Sequence, residues 1–318
     1  MRYTWVLCLF LVLAGSRMSF LPAQDEEGAE QAKPLHLTFK WPLRRKFSVT
    51  TQIAAPQGKL VMRTTYRLGK EKKGDRFILT TDKFKLLKAD LSSVKDQSKK
   101  GRRQATGLIE ALALAVPPVY LNTKGEVVDV GVLDADVAKR IIPKLSPALR
   151  KDKTFKKLLK LMLASPQMRE SQRAQMLDSM EPWVGFWRYA EGLKPGESVE
   201  LASEAPEDDK DFVPDEIKVT YVGPSAKQGR VNIVIDSVQR RKDGSGKAAG
   251  LLKSLFKTRP ELRTKLKVST VESHTEGVLR PETLQPYEIV ETSTLVAEFI
   301  DGHEPYRASA KTTTTFKW

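Results

Sequence analysis

Apolar residues alternate with polar ones over long stretches of this chain, and this period of two restricts its fold more than any other feature. The alternation is clear at residues 47–53 and recurs through residues 60–68 and 77–87. Successive side chains of a strand point to opposite faces, so each stretch predicts a strand with one buried and one solvated face. Turn residues at 56–58 and 72–75 separate the stretches, which indicates an antiparallel meander.

The same period returns in the rest of the chain. A hairpin is predicted at residues 119–132, with its turn at residues 122–125. Further predicted strands cover residues 217–221, 231–235, 268–276, 287–299 and 306–318. The last two form the clearest hairpin of the sequence, with a turn at residues 301–305.

Segments with helical spacing separate these strands. They lie at residues 108–116, at residues 134–180 and at residues 248–257, and the last two are rich in Lys and Arg. Strands followed by helices and then by strands, with few alternating βα units, predict an α+β fold with an antiparallel sheet. Both halves of the chain repeat the order of strands, basic helix and hairpin, which leaves a duplication of two similar halves open.

The first residues have the pattern of a secretory signal peptide. Arg2 precedes an apolar run at residues 6–15, and this run is shorter than the roughly 20 apolar residues that span a bilayer. We expect cleavage after Ala23, with cleavage after Ser16 as the alternative. Cys8 lies inside the apolar run, where a lipoprotein attachment cysteine is not found. The sequence therefore predicts export to the periplasm or the medium without a lipid anchor.

Composition and turn residues divide the chain into four segments. These are a signal peptide at 1–23, a flexible acidic leader at 24–34, a strand meander with a basic helical block at 35–182, and an antiparallel sheet with a short basic helix at 183–318. The last boundary is placed at an aromatic stretch that ends in a Lys-Pro-Gly-Glu turn.

The charge balance indicates acidic partners. The chain has 54 Lys and Arg against 39 Asp and Glu, a formal net charge of +15. Such a protein is attracted to anionic lipid or to polyanionic envelope polymers. Nucleic acid is not expected as a partner, because export removes the usual targets and no basic strand is interleaved with aromatic residues. The partners we expect are an anionic envelope component or an apolar ligand, with peripheral membrane contact as an open alternative.

The strongest binding pattern is a predicted helix at residues 152–164. Its apolar stripe is flanked by Lys153, Lys156, Lys157 and Lys160. A helix of this kind can lie on an anionic membrane surface. Packing of the stripe on the sheet, with solvated lysines, is the interpretation that we prefer.

An aromatic segment follows this helix in the chain. Trp183, Phe186 and Trp187 lie within six residues of one another. Ligand pockets are lined mainly by apolar and aromatic side chains, so we expect these residues and the four lysines to line a site for an apolar ligand. No catalytic residue, cofactor or bound metal is predicted, and the preferred function is non-catalytic binding or a structural role.

Two alternatives stay open. Glu272, His274 and Glu276 occupy alternate positions of one predicted strand, so their side chains share a face and could hold a metal ion in a metal-dependent enzyme. A solvated, charged strand face is the simpler interpretation of this pattern. Phe316 and Trp318 resemble the aromatic C-terminus of outer-membrane β-barrels, but a terminal edge strand packed into the core is the simpler interpretation.

Three short motifs resemble those of a known group. They are the hairpin at residues 119–132, the sequence LKPGES at residues 193–198 and the sequence VLRPETLQP at residues 278–286. With its strand-rich opening, the chain resembles an uncharacterised family of exported bacterial proteins that is loosely similar to periplasmic lipoprotein carriers. The resemblance implies a curved antiparallel sheet with helices on one face, and it supplies no catalytic residue.

Overall fold

The computed structural model describes the strands and most of the turns of the chain. The described residues are 33–55, 58–71, 74–90, 106, 117–131, 150–151, 153, 180, 183, 185–202, 215–242, 248, 252, 255–256 and 259–318. The predicted signal peptide lies outside these residues, as does nearly all of the predicted leader. The predicted helices are described only at single positions, so their packing on the sheet stays a prediction.

Within these residues, eleven antiparallel strands form one sheet. The strands are β1 (Lys46–Ala55), β2 (Gly58–Lys70), β3 (Phe77–Ala89), β4 (Val119–Leu121), β5 (Val127–Val130), β6 (Ser198–Ala202), β7 (Glu216–Pro224), β8 (Val231–Arg241), β9 (Leu266–Arg280), β10 (Gln285–Phe299) and β11 (Tyr306–Lys317). Their order across the sheet is β5-β4-β3-β2-β1-β11-β10-β9-β8-β7-β6. The antiparallel sheet predicted from the period of two is confirmed.

Two meanders make up this sheet. Each strand lies beside its neighbours in sequence, except where β1 pairs with β11. In that ladder Val49 lies opposite Phe316, and Thr51 lies opposite Thr314. The sheet is open, with β5 and β6 at its two edges.

The sheet curls towards one face. A 3-10 helix at Phe186–Ala190 packs against β7, near one edge of the sheet. From this helix Arg188 donates a hydrogen bond to the carbonyl of Lys124, in the turn between β4 and β5 at the other edge. Edges of a flat sheet of eleven strands would lie about 48 Å apart, so one short helix contacts both only if the sheet is strongly curved. The curved sheet implied by the resemblance is therefore confirmed, and its inner face is concave.

The helical content of the described chain is small. Besides the helix at Phe186–Ala190, the regular helical segments are 3-10 turns at Pro260–Lys265 and Ile300–Gly302. Of the α+β prediction, the antiparallel sheet is thus confirmed, while the helical insertions lie largely outside the described residues.

An extended segment at residues 35–41 crosses the end of the concave face. Its backbone amides at Leu35 and Thr38 donate to the carbonyls of Leu193 and Pro281, at 2.9 Å each. Four alternate side chains of the segment are buried: Leu35, Leu37, Phe39 and Trp41. This arrangement satisfies the backbone polar groups and contributes apolar surface to the core.

Aromatic rings fill the core beside this segment. Trp318 lies 4.8 Å from Trp41 and 4.4 Å from Phe47, measured between ring centroids. The indole N–H of Trp41 donates to the carbonyl of Leu284 at 2.8 Å, and that of Trp318 donates to Pro286 at 2.7 Å. Both buried indoles therefore retain a polar partner, which removes the cost of desolvating the N–H group.

The ring of Trp187 packs directly against the backbone of β9 at Gly277. Its side chain is fully buried, and its ring occupies the space where a Cβ atom of residue 277 would stand. Gly277 is therefore required by close approach of an aromatic ring rather than by a turn. The helix at Phe186–Ala190 is fixed to the sheet by this contact.

Replacement of Gly277 by alanine is expected to destabilise the protein by about 2 kcal/mol, because the added methyl group overlaps the indole ring. Gly69, in β2, provides the matched control, since a Cβ there meets its nearest neighbour at 3.9 Å. Gly69→Ala should change the stability by less than about 1 kcal/mol. Urea unfolding followed by tryptophan fluorescence measures both variants, and equal losses would contradict the role of Trp187.

Candidate functional site

A row of hydroxyl side chains crosses the middle of the concave face on β9, β10 and β11. We call it the hydroxyl band, and its members are Ser273, Thr275, Ser293, Thr312 and Thr314. All five residues are 9% exposed or less. Ser273 lies directly opposite Ser293. Glu291 shares the inner face of β10 and lies between Thr275 and Thr312.

The band separates two apolar clusters on the same face. Towards one end of the strands, the larger cluster contains Leu279, Ile289 and Phe316. Towards the other end, the smaller cluster contains Val271, Leu295 and Ala308. The inner positions of β9, β10 and β11 thus change from apolar to hydroxyl and back to apolar along each strand. A core built only for stability would continue the apolar side chains without this break.

Two oxygens of the band have unused hydrogen-bonding capacity. Among the described residues, neither Ser273 Oγ nor Ser293 Oγ has a hydrogen-bond partner, and Ser293 is fully buried. Leaving a buried hydroxyl without a partner costs about 1–3 kcal/mol, and most buried polar groups avoid it. The pair is therefore suited to donate to, or accept from, a polar group placed against the concave face.

Among the described residues, the strands beside the band supply no base for its serines. A serine nucleophile needs a base within hydrogen-bonding distance of its hydroxyl. The neighbouring imidazole belongs to His274, which follows Ser273 in β9 and so projects from the opposite face. The acidic group on the inner face is that of Glu291, which occupies the next row of the sheet.

The predicted aromatic lining belongs to the core. Trp183 is 9% exposed and packs edge-on against Tyr66 and Phe316, at centroid distances of 5.2 and 5.1 Å. Burial also raises the pKa of Tyr66 to about 12. Trp187 is fully buried, and its indole nitrogen has no hydrogen-bond partner among the described residues. Phe186 lies in the same 3-10 helix, but its side chain is outside the described part of the structure.

Of the predicted basic cluster, one member can be placed. Lys153 is helical and exposed. Lys156, Lys157 and Lys160 lie outside the described residues, so a common site for the lysines and the tryptophans stays a prediction.

The residues of the alternative metal site lie on the outer face. His274 binds Asp236 of the neighbouring strand through Nδ1 at 2.7 Å and Glu276 through Nε2 at 3.2 Å. Partial burial lowers the pKa of His274, but its hydrogen bonds to the two carboxylates raise it, and the net pKa lies above the ordinary value. The two carboxylates therefore favour the protonated form of the imidazole.

This arrangement differs from the predicted metal ligand set. Glu272 was expected to act with His274 and Glu276, but the second carboxylate bound by His274 is that of Asp236. In the described part of the chain, no three His, Cys, Asp or Glu side chains are grouped so as to hold a metal ion. When both of its ring nitrogens donate to these carboxylates, His274 has no free lone pair for a metal.

Comparisons with known proteins add no assignment. No protein-family model matches the chain, and no curated protein matches it significantly. Among the described residues, no helix has both the length and the apolar character needed to cross a membrane.

The hydroxyl band was missed in the sequence, although a pattern for it exists. The inner positions of β9 are Val271, Ser273, Thr275, Gly277 and Leu279. Small and hydroxyl residues thus replace apolar ones in the middle of a buried face. The same interruption at Ser293 in β10 and at Thr312 in β11 would have indicated a polar row, once the strand order was known.

The hydrogen bonds of His274 predict that the stability of the protein depends on pH. Because folding raises the pKa of His274, its protonated form stabilises the fold fully below about pH 6.5, and this contribution is lost as the pH rises through the folded-state pKa. Asp236→Asn should lower that pKa, as measured by NMR titration of the imidazole. Glu298→Gln, on the outer face beside Lys267, is the control and should leave it unchanged. An unchanged pKa in Asp236→Asn would refute the ion pair.

Proposed function

We propose that this is an exported, non-catalytic binding protein that holds an amphipathic ligand on the concave face of its sheet. The observation that supports this function is the hydroxyl band, with the unpartnered oxygens of Ser273 and Ser293 between two apolar clusters. An acyl chain with one polar group near its middle or end has the matching chemistry.

Each part of the concave face has a role in this proposal. The apolar clusters receive the chain, since burial of apolar surface contributes about 25 cal/mol per Å². The band receives the polar group, because a hydrogen bond to a ligand removes the cost of the unpaired hydroxyls. From Val271 to Leu279 the inner face of β9 measures about 26 Å, so a long chain fits along the strands.

The predicted export and the family resemblance are in keeping with such a carrier. A signal peptide at 1–23 would place the protein in the periplasm or outside the cell, where hydrophobic molecules need a protein to cross water. The resemblance to periplasmic lipoprotein carriers implies the same architecture, a curved sheet with a covered concave face. The positive net charge of +15 suits a ligand whose polar group is anionic.

Native mass spectrometry of protein purified from the envelope fraction of its own host tests the proposal. We expect a bound lipid-like molecule, identified after its release from the protein. A preparation with empty protein throughout, under conditions that retain weakly bound lipid, would contradict the assigned function.

The double variant Ser273→Ala/Ser293→Ala should lose about tenfold or more in ligand affinity, because two hydrogen bonds to the ligand disappear. Its stability without ligand should be unchanged or slightly raised, since the deleted hydroxyls have no partner among the described residues. Ser309→Ala, on the outer face of β11, is the matched control and should bind normally. Equal affinity in the double variant and in the wild type would show that the two serines do not contact the ligand.

A further inference from the structure

The outer face of the sheet carries its charges in two separate regions. Nine exposed cations project from the outer face of β1, β2, β3 and the part of β11 that pairs with β1, and we call this region the basic face. Its members are Lys46, Lys59, Arg63, Arg67, Lys83, Lys85, Lys88, Lys311 and Lys317. Beyond β11, the outer face of β7–β10 carries six carboxylates and four Lys or Arg side chains among its uncharged residues, and we call it the acidic region. The carboxylates there are Glu216, Asp236, Glu272, Glu276, Glu288 and Glu298.

The register of the strands brings the cations together. Lys46 lies opposite Arg67, and Arg63 lies opposite Lys85. Lys59 and Lys311 flank the same residue of β1. The face spans four adjacent strands, about 15 Å, and extends about 26 Å along β2. The cations thus form a two-dimensional array rather than a single row.

Few of these cations have a side-chain partner among the described residues: besides the ion pair of Lys46, Arg63 donates a hydrogen bond to Thr50 at 3.3 Å. Lys46 pairs with Asp82 at 2.9 Å, and no other member of the basic face forms an ion pair with a carboxylate of the described chain. Like charges at such spacing repel one another, so the array costs stability unless an external anion compensates it. The two regions differ in this respect, because in the acidic region Arg240 pairs with Glu216 and Lys267 pairs with Glu298.

We propose that the basic face docks on an anionic membrane surface. Between the cations, several outer positions hold short polar residues such as Ser48, Thr50 and Thr65, which leave the cations exposed. An extended, two-dimensional set of protruding cations matches a layer of anionic headgroups better than it matches a single polymer strand, which binds along a groove. The acidic region, repelled by the same layer, fixes the orientation of the protein.

This docking surface is distinct from the ligand site. The cations lie on the outer face of the sheet, while the hydroxyl band lies on the concave face, so a protein docked on a membrane keeps its concave face away from the headgroups. The docking proposal therefore does not depend on the proposed ligand.

Vesicle sedimentation with the mature protein tests the docking. Wild-type protein should bind phosphatidylcholine vesicles that contain phosphatidylglycerol, and should not bind vesicles of phosphatidylcholine alone. Binding should weaken as salt is added, because exposed charges are screened over a Debye length of about 10 Å at 0.1 M salt. Equal binding to both kinds of vesicle, or to neither, would overturn the proposal.

A pair of triple variants separates the basic face from net charge. Arg63→Gln/Arg67→Gln/Lys317→Gln removes three exposed cations of the basic face and should lower binding on the order of 100-fold. Lys218→Gln/Arg240→Gln/Lys267→Gln removes the same charge from the acidic region and should bind as wild type does. Equal losses in both variants would refute a localised docking surface, and a preference for soluble polyphosphate over the vesicles would refute the membrane as the partner.

Discussion

The ladder between β1 and β11 holds the molecule together. Seven residues of β1, from Ser48 to Ala54, pair with β11 and join two meanders that are otherwise built from sequence neighbours. This register also sets the concave face, because it places Thr314 beside Thr51 and Thr312 beside Ile53. A slip by one residue would turn the inner side chains of β11 outward. Since the ladder joins the first strand to the last, its formation requires closure of a loop that spans nearly the whole sheet, a slow step in folding.

Local periodicity was sufficient to predict the strands but not their arrangement. Alternation marks strands wherever one face is buried and the other solvated, and it located β1, β2, β10 and β11 closely. The pairing of strands that lie far apart in the sequence is set by long-range packing, which no local pattern records. The pairing of β1 with β11 and the path of residues 35–41 across the core therefore emerged only from the structure.

Candidate residues were harder to predict than strands, for a physical reason. Aromatic residues serve both cores and ligand sites, and Trp187 owes its burial to the missing side chain of Gly277, a contact between distant parts of the chain. Ser273 and Ser293 resemble ordinary strand residues until the register sets them opposite each other. The alternate spacing of His274 and Glu276 did predict a shared face, whereas Asp236 came from another strand. Proximity within one strand is visible in a sequence, and proximity between strands is not.

The strands that form the two edges of the sheet are short. β9 and β10 have 15 residues each, whereas β5 has 4 and β6 has 5. Open sheets expose unpaired backbone groups at their edges, and another chain can add a strand there. Short edge strands offer few such groups, so they provide little template for that addition. The short edge strands therefore limit how readily a further strand can add to β5 or β6 of this open sheet.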